Sequence, residues 1–218
     1  MPGMTGRMRH LLSRLCGNRS GVAMVEFAYT APVLLVLLGG GIELSNYVLS
    51  HLRISQAAVS LADNASRLKQ SVVSGVPRVR EADVNELFGA ALLQTAGLDL
   101  ATHGRLILSS VEANPQGGQW IHWQRCFGTA PYRSSFGQEG DGASGAGLPG
   151  VGPTGRQVAA EPGSAIMFVE VVYDYQPLMT GFLDLAEIRK TAAMYVRDKR
   201  DLSAIYNPAP TARSSRCD

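Results

Sequence analysis

Glu26 sits five residues after Gly21 and is the only charged side chain from Gly21 to Ile42. An ionised carboxylate in the middle of a membrane helix costs roughly 2.5–3.5 kcal/mol on insertion scales, so a residue of this kind points to a task. The plainer alternative makes Gly21 a helix-boundary glycine and lets Glu26 reach for the headgroups.

The remaining reactive residues are sparse. Cys16, Cys126 and Cys217 are the three cysteines. If the segment before Val22 is removed, Cys126 and Cys217 form an even pair, which invites a disulfide in an oxidising compartment. Such a bridge ties the end of the second expected strand to the Pro- and Ser-containing tail; closing about 90 residues is worth roughly 4–5 kcal/mol in the chain-entropy account. Two unpaired thiols, or bonds to another subunit, are the competing reading. His10, His51, His103 and His122 are scattered without metal-ligand spacing, and the run 120–123 with Cys126 reads as a strand face. Glu170 and Asp174 share a strand face, which permits a cation site or an acid pair but more simply makes an exposed polar surface.

Formal motif matches carry no chemistry. Gly145-Ala146-Gly147-Leu148-Pro149-Gly150 and Gly150-Val151-Gly152-Pro153-Thr154-Gly155 fit the dinucleotide fingerprint, yet both contain proline and neither has the flanking strand and helix that the phosphate cradle requires. Asn18-Arg19-Ser20 matches a glycosylation sequon on what reads as the cytoplasmic side. No Gly-x-Ser-x-Gly elbow or P-loop is present, so the sequence reads as a non-enzyme with no cofactor and no metal.

These residues are positioned by an apolar run. Residues 27–42 are uncharged, and 22–42 as a helix covers about 31 Å, close to the hydrocarbon thickness of a bilayer. Arg7, Arg9, Arg14 and Arg19 precede the run with no acidic residue, whereas Glu43 is the first charge after it. The positive-inside bias therefore puts the N-terminus in the cytoplasm and exports the chain beyond about residue 45. A secretory signal has a shorter apolar core and then a small-residue cleavage site; here the processing signal, Gly21, comes first. Cleavage there would discard a basic leader, 1–21, and keep the helix. The formal charge would fall from +2 to −2, since four of the 20 basic residues and none of the 18 acidic ones lie in the leader. The basic balance belongs to that leader, and no basic patch argues for nucleic acid.

Taken in order, Arg19-Ser20-Gly21, Val22-Ala23-Met24-Val25-Glu26-Phe27-Ala28, Pro32 and the leucine-rich run to Gly41-Ile42-Glu43 resemble the prepilin-like leader and helix of TadE/TadG-type pseudopilins. These are minor components of the tight-adherence (Flp) type IV pilus machinery of bacteria and archaea. The resemblance covers roughly 19–67, with a weaker continuation through 169–178 and 189–197. It implies cutting between Gly21 and Val22 by a membrane prepilin peptidase. It also implies that Glu26, beside the aromatic Phe27, pairs with the free α-amine of a neighbouring subunit's Val22. The partners it implies are that peptidase, other pilin and pseudopilin subunits, the inner-membrane assembly platform and the membrane itself. The corresponding location is the bacterial inner membrane with a periplasmic C-terminal domain, and incorporation into an extracellular adhesive pilus. The alternative function is an uncleaved, signal-anchored periplasmic protein that binds a ligand or an envelope component.

The expected fold is α+β and pilin-like: a transmembrane and extended helix over 22–70, then an exported domain over 71–218. Pro32 and Gly39-Gly40-Gly41 read as a packing face in lipid, or as neutral lipid-exposed positions. Ile54, Ala58, Leu61, Ala65 and Leu68 recur at intervals of four and three and continue the helix, with core packing in the chain's own domain favoured over a partner coiled coil. Ser74-Gly75-Val76-Pro77 is expected to end it. Val84, Leu87, Phe88, Ala91 and Leu92 predict a second helix stopping at Gly97. Strands are expected at 106–111 and 119–127 around a turn at 114–118, at 167–175 with one apolar and one polar face, and at 188–196. Residues 137–164, rich in Gly, Ala and Pro, read as a flexible surface loop that a partner subunit could order.

Overall fold

The computed structural model describes residues 20–68, 75–179 and 187–217. The expected leader as far as Arg19, including Cys16 and His10, and Ser74 of the expected helix-ending run lie outside the described residues. The chain divides into two compact units, one holding the helix up to Asn46 with a segment beginning at Leu178, the other holding Tyr47–Pro177 and the chain from Leu185 onward.

The first unit is dominated by the start of α1 (Ser20–Arg67), a continuous 48-residue helix. Pro32 lies inside it, where the missing N–H removes one i→i−4 bond. The helix is long and apolar enough to cross a membrane, and none of its most apolar window is buried. That full exposure is what distinguishes it from the core helix of a globular domain.

In the second unit the rest of α1 becomes an ordinary amphipathic helix. Ile54, Ala58, Leu61 and Ala65 are buried, and Leu68 packs against them, so the expected stripe faces the chain's own core. The second helix, α2 (Glu81–Gln94), starts after extended Arg80, whose backbone N–H donates to Asp83 at 3.0 Å. Glu81 and Asp83 place negative charge in its first turn, where the helix dipole favours it. It ends earlier than expected, at Gln94, with Thr95 as the C-cap, whose hydroxyl donates back to the Ala91 carbonyl at 2.9 Å. A one-turn helix α3 (Leu100–His103) then leads into the sheet.

Four strands form that sheet: β1 (Gly104–Ala113), β2 (Gln119–Phe127), β3 (Ala165–Tyr173) and β4 (Ile188–Tyr195). Their order is β2-β1-β3-β4, antiparallel throughout, which makes the fold α+β as expected. The turn between β1 and β2 is built by Asn114, whose Oδ1 accepts the N–H groups of Gln116 and Gly118, and by Gly117 at φ 88°. Side chains of alternating parity make two apolar clusters. Leu106, Leu108, Met167, Val169, Val171 and Tyr173 meet α1 and α2; Val111, Ile121, Ile166 and Phe168 form the other cluster.

That second cluster corrects one expectation. Residues 137–164 contain no helix or strand, yet Val151 and Ala160 are buried in it, with Leu148 and Val158 packed alongside. Short bridges pair Gln119 with Leu148 and Val151 with Val158. The second face of the sheet is therefore covered, and Glu170 is 1% exposed where a solvated polar face was expected.

Candidate functional site

The expected assembly residues occupy the first turns of α1. Gly21 is exposed, and a Cβ placed on it would meet nothing within 4 Å. Nothing in the chain's own described packing demands glycine there. Glycine is about 1 kcal/mol poorer than alanine within a helix, so the helix is locally weaker at this position. Val22 and Phe27 are 68% and 70% exposed. Glu26 is exposed too, and among the described residues it has neither an ion pair nor a side-chain hydrogen bond. Gly21, Val22, Glu26 and Phe27 thus share one open helical segment rather than a pocket. Its chemistry is a single carboxylate on an apolar surface, complementary to a cation delivered at membrane depth.

At the other end of the apolar stretch, Glu43 is buried. Its Oε2 accepts the backbone N–H groups of Leu178 and Met179 at 3.0 and 3.1 Å. The two acidic residues that bracket the span are therefore treated in opposite ways, Glu26 left open and Glu43 bound by backbone donors. In the sequence Glu43 stands out only as a charge boundary, because its donors lie about 135 residues away.

The second unit holds several polar centres. Arg125 and Glu81, 6% and 5% exposed at their side chains, form a forked pair with a shortest contact of 2.7 Å, and Glu139 adds a contact at 2.9 Å. Burial pulls the Arg125 guanidinium down, but the hydrogen bonds and charges of Glu81 and Glu139 outweigh it and hold it above its ordinary value. Glu170 accepts the Ser135 N–H and pairs with Arg189; burial nevertheless pushes its carboxyl above the usual range. Asp174, its expected face-mate, accepts the Tyr132 hydroxyl instead, so the two acids do not form a joint site.

β2 carries a bulge opposite Ser110 and Val111, which pair with Trp123 and Ile121 and leave His122 between them. The extra residue is re-aimed. His122 Nδ1 lies 3.0 Å from Glu112 Oε1, Trp120 stacks on the imidazole, and the Glu112 hydrogen bond raises the histidine above its ordinary value. Among the described residues no group of three or more His, Cys, Asp or Glu side chains could hold a metal. Cys126 and Cys217 are joined, with Cα atoms 4.9 Å apart, and the tail adds a Cys126 N–H to Ser215 carbonyl bond of 2.7 Å.

Neither a curated protein nor a solved structure matches the chain. The family described as TadE-like protein matches residues 21–62, beginning at the glycine and running through the apolar part of α1 into its amphipathic part.

Proposed function

We propose that the chain is a minor pseudopilin of a tight-adherence pilus assembly or secretion apparatus, cut after Gly21 by a prepilin peptidase and assembled through α1. The observation that carries this reading is the coincidence of the TadE-like match with an unburied apolar helix whose glycine and glutamate are both unused by the chain itself. In this reading cleavage removes 1–21 and frees the α-amine of Val22. Glu26 of one subunit then accepts the ammonium of another's Val22, each charge relieving the other's penalty in low dielectric. The helix anchors the protein in the inner membrane, with the N-terminus cytoplasmic and the sheet domain periplasmic, until the assembly platform draws it into a filament.

Co-expression with a prepilin peptidase tests the first step. The expected result is a mass loss equal to residues 1–21, abolished by Gly21→Leu. Because a side chain at Gly21 has open space, the variant keeps its fold, and its failure to be cut reports on the peptidase. Identical intact masses for wild type and variant would instead favour the uncleaved, signal-anchored protein. Glu26→Ala separates the second step: processing stays intact while incorporation into pili drops, and normal pili from that variant would sink the pairing role.

A further inference from the structure

The tail that carries Cys217 borders a cleft in the sheet-containing unit. Its volume is about 670 Å³, within the range typical of small-molecule sites, about 300–1,000 Å³. The walls come from Asn85 on α2, Arg105 on β1, Thr129 after β2, and Arg213 and Arg216 of the tail. Among the described residues lining it there is no Asp or Glu. Three guanidiniums therefore share a concave space without a compensating carboxylate.

The hydrogen-bond pattern of the lining is equally one-sided. Arg105 is fixed by donating Nη1 to the Gly128 carbonyl at 2.6 Å, while its Nε is buried with no partner among the described residues. Arg213 and Arg216 have no side-chain partner among the described residues. The neighbouring hydroxyls are already committed as donors: Ser214 to Glu81, Ser215 to Asn85 Oδ1, and Thr129 to the carbonyls of Ala101 and Thr102. What this cleft offers is unanswered N–H donors carrying positive charge. Among the described lining residues it has no carboxylate to balance them.

We propose that the cleft binds an oxyanion-bearing ligand, a phosphate or carboxylate group held by Arg105, Arg213 and Arg216. Guanidinium forks match the two oxygens of such groups and form the stronger, charge-assisted class of hydrogen bond. A volume well beyond one inorganic ion leaves room for the body of an organic anion. The same chemistry is presented by a free small anion and by an anionic lipid headgroup. The proposal stands independently of pilus assembly, since it uses no residue of α1.

The test uses the full chain in detergent, titrated calorimetrically at low ionic strength with inorganic phosphate and with citrate, and in parallel in nanodiscs of phosphatidylglycerol or phosphatidylcholine. Arg213→Gln combined with Arg216→Gln is expected to weaken binding at least tenfold while leaving the unliganded melting temperature unchanged. Arg105→Lys, which keeps the charge but loses the fork, is expected to weaken it several-fold. Arg133→Gln serves as the control: Arg133 lines the adjoining pocket, which shares Cys126 and Arg216 with the cleft, but is not itself among the cleft's lining residues, so the variant should bind as wild type does. Saturable binding of phosphate or citrate with this variant pattern supports a free anion as ligand; binding confined to phosphatidylglycerol with the same pattern supports a headgroup. No saturable binding to any of these probes, or equal weakening by Arg133→Gln, overturns the proposal.

Discussion

His122 shows how one extra residue in a strand creates a titrating contact. The bulge turns its ring toward Glu112, and Ser110 donates a further hydrogen bond of 2.8 Å to the same carboxylate. The hydrogen bond with Glu112 raises the histidine pKa in the folded state above 6.5, although burial opposes the shift. A base whose folded pKa is raised contributes stability that is fully present below the unfolded value. That contribution is lost as pH rises through the folded value. His51 acts in the opposite sense: burial, then Lys190, lowers its pKa, so its protonation disfavours the fold as pH falls. The expected outcome is read as a difference: urea midpoints of wild type minus His122→Asn should shrink as pH is raised from about 5.5 to about 8.5, across the ordinary histidine range. A difference that stays flat over that window would show that the pair contributes no pH-linked stability.

At the scale of elements, the end of α1 depends on a residue far away in sequence. Arg200 is buried, and its Nη1 donates to the carbonyls of Ala65 and Leu68 at 3.0 and 3.1 Å, satisfying C-terminal groups that the helix leaves open. Burial pulls its pKa down to about 10, which still leaves it a cation at the helix's negative end. Arg200→Met should destabilise the domain by about 1–3 kcal/mol, since two interior carbonyls lose their donor while the desolvation of a charge is relieved. Urea denaturation checks the size, and hydrogen exchange in the last turn of α1 checks the place; an unchanged midpoint with unchanged exchange would remove Arg200 from the cap. Regular elements such as this helix are legible in the sequence because periodicity marks them. The stripe from Ile54 to Leu68 and the strand from Gln119 to Phe127 both follow from side-chain spacing alone. Contacts that periodicity does not encode are hidden. Nothing local announces that Arg200 caps α1, that Leu178 and Met179 bind Glu43, or that a Gly-rich run supplies Val151 and Ala160 to cover a sheet face. The misreading of Glu170 as solvated has the same kind of cause: Ser135 and Arg189 meet it from distant parts of the chain, and a two-residue period reveals which side chains share a face but not what lies over it.

For the molecule as a whole, the N-terminal chemistry and the tail chemistry are legible to different depths. Glu26 stands out because a carboxylate in an apolar run is costly; the arginine cleft escapes notice because Arg105, Arg213 and Arg216 become neighbours only when the tail returns to the sheet. That return is held by several contacts besides the bridge. The Ser215 carbonyl accepts the Cys126 N–H, the Arg213 carbonyl accepts from Asn85 at 2.7 Å, and the Ser214 hydroxyl donates to Glu81 at 2.9 Å. Reduction should therefore weaken the domain by loosening the unfolded chain's constraint rather than by erasing the tail's docking. With 91 residues separating the cysteines, the chain-entropy account expects a loss of roughly 4–5 kcal/mol. Cys126→Ser combined with Cys217→Ser should lower the urea midpoint by the same amount as dithiothreitol lowers that of wild type, and dithiothreitol should leave the double variant unmoved. Because the noncovalent contacts persist, amide protection near Ser215 should survive reduction under native conditions. Two free thiols in protein recovered from the envelope would remove the bridge from the functional molecule, and the tail would then rely on those hydrogen bonds alone to hold Arg213 and Arg216 at the cleft.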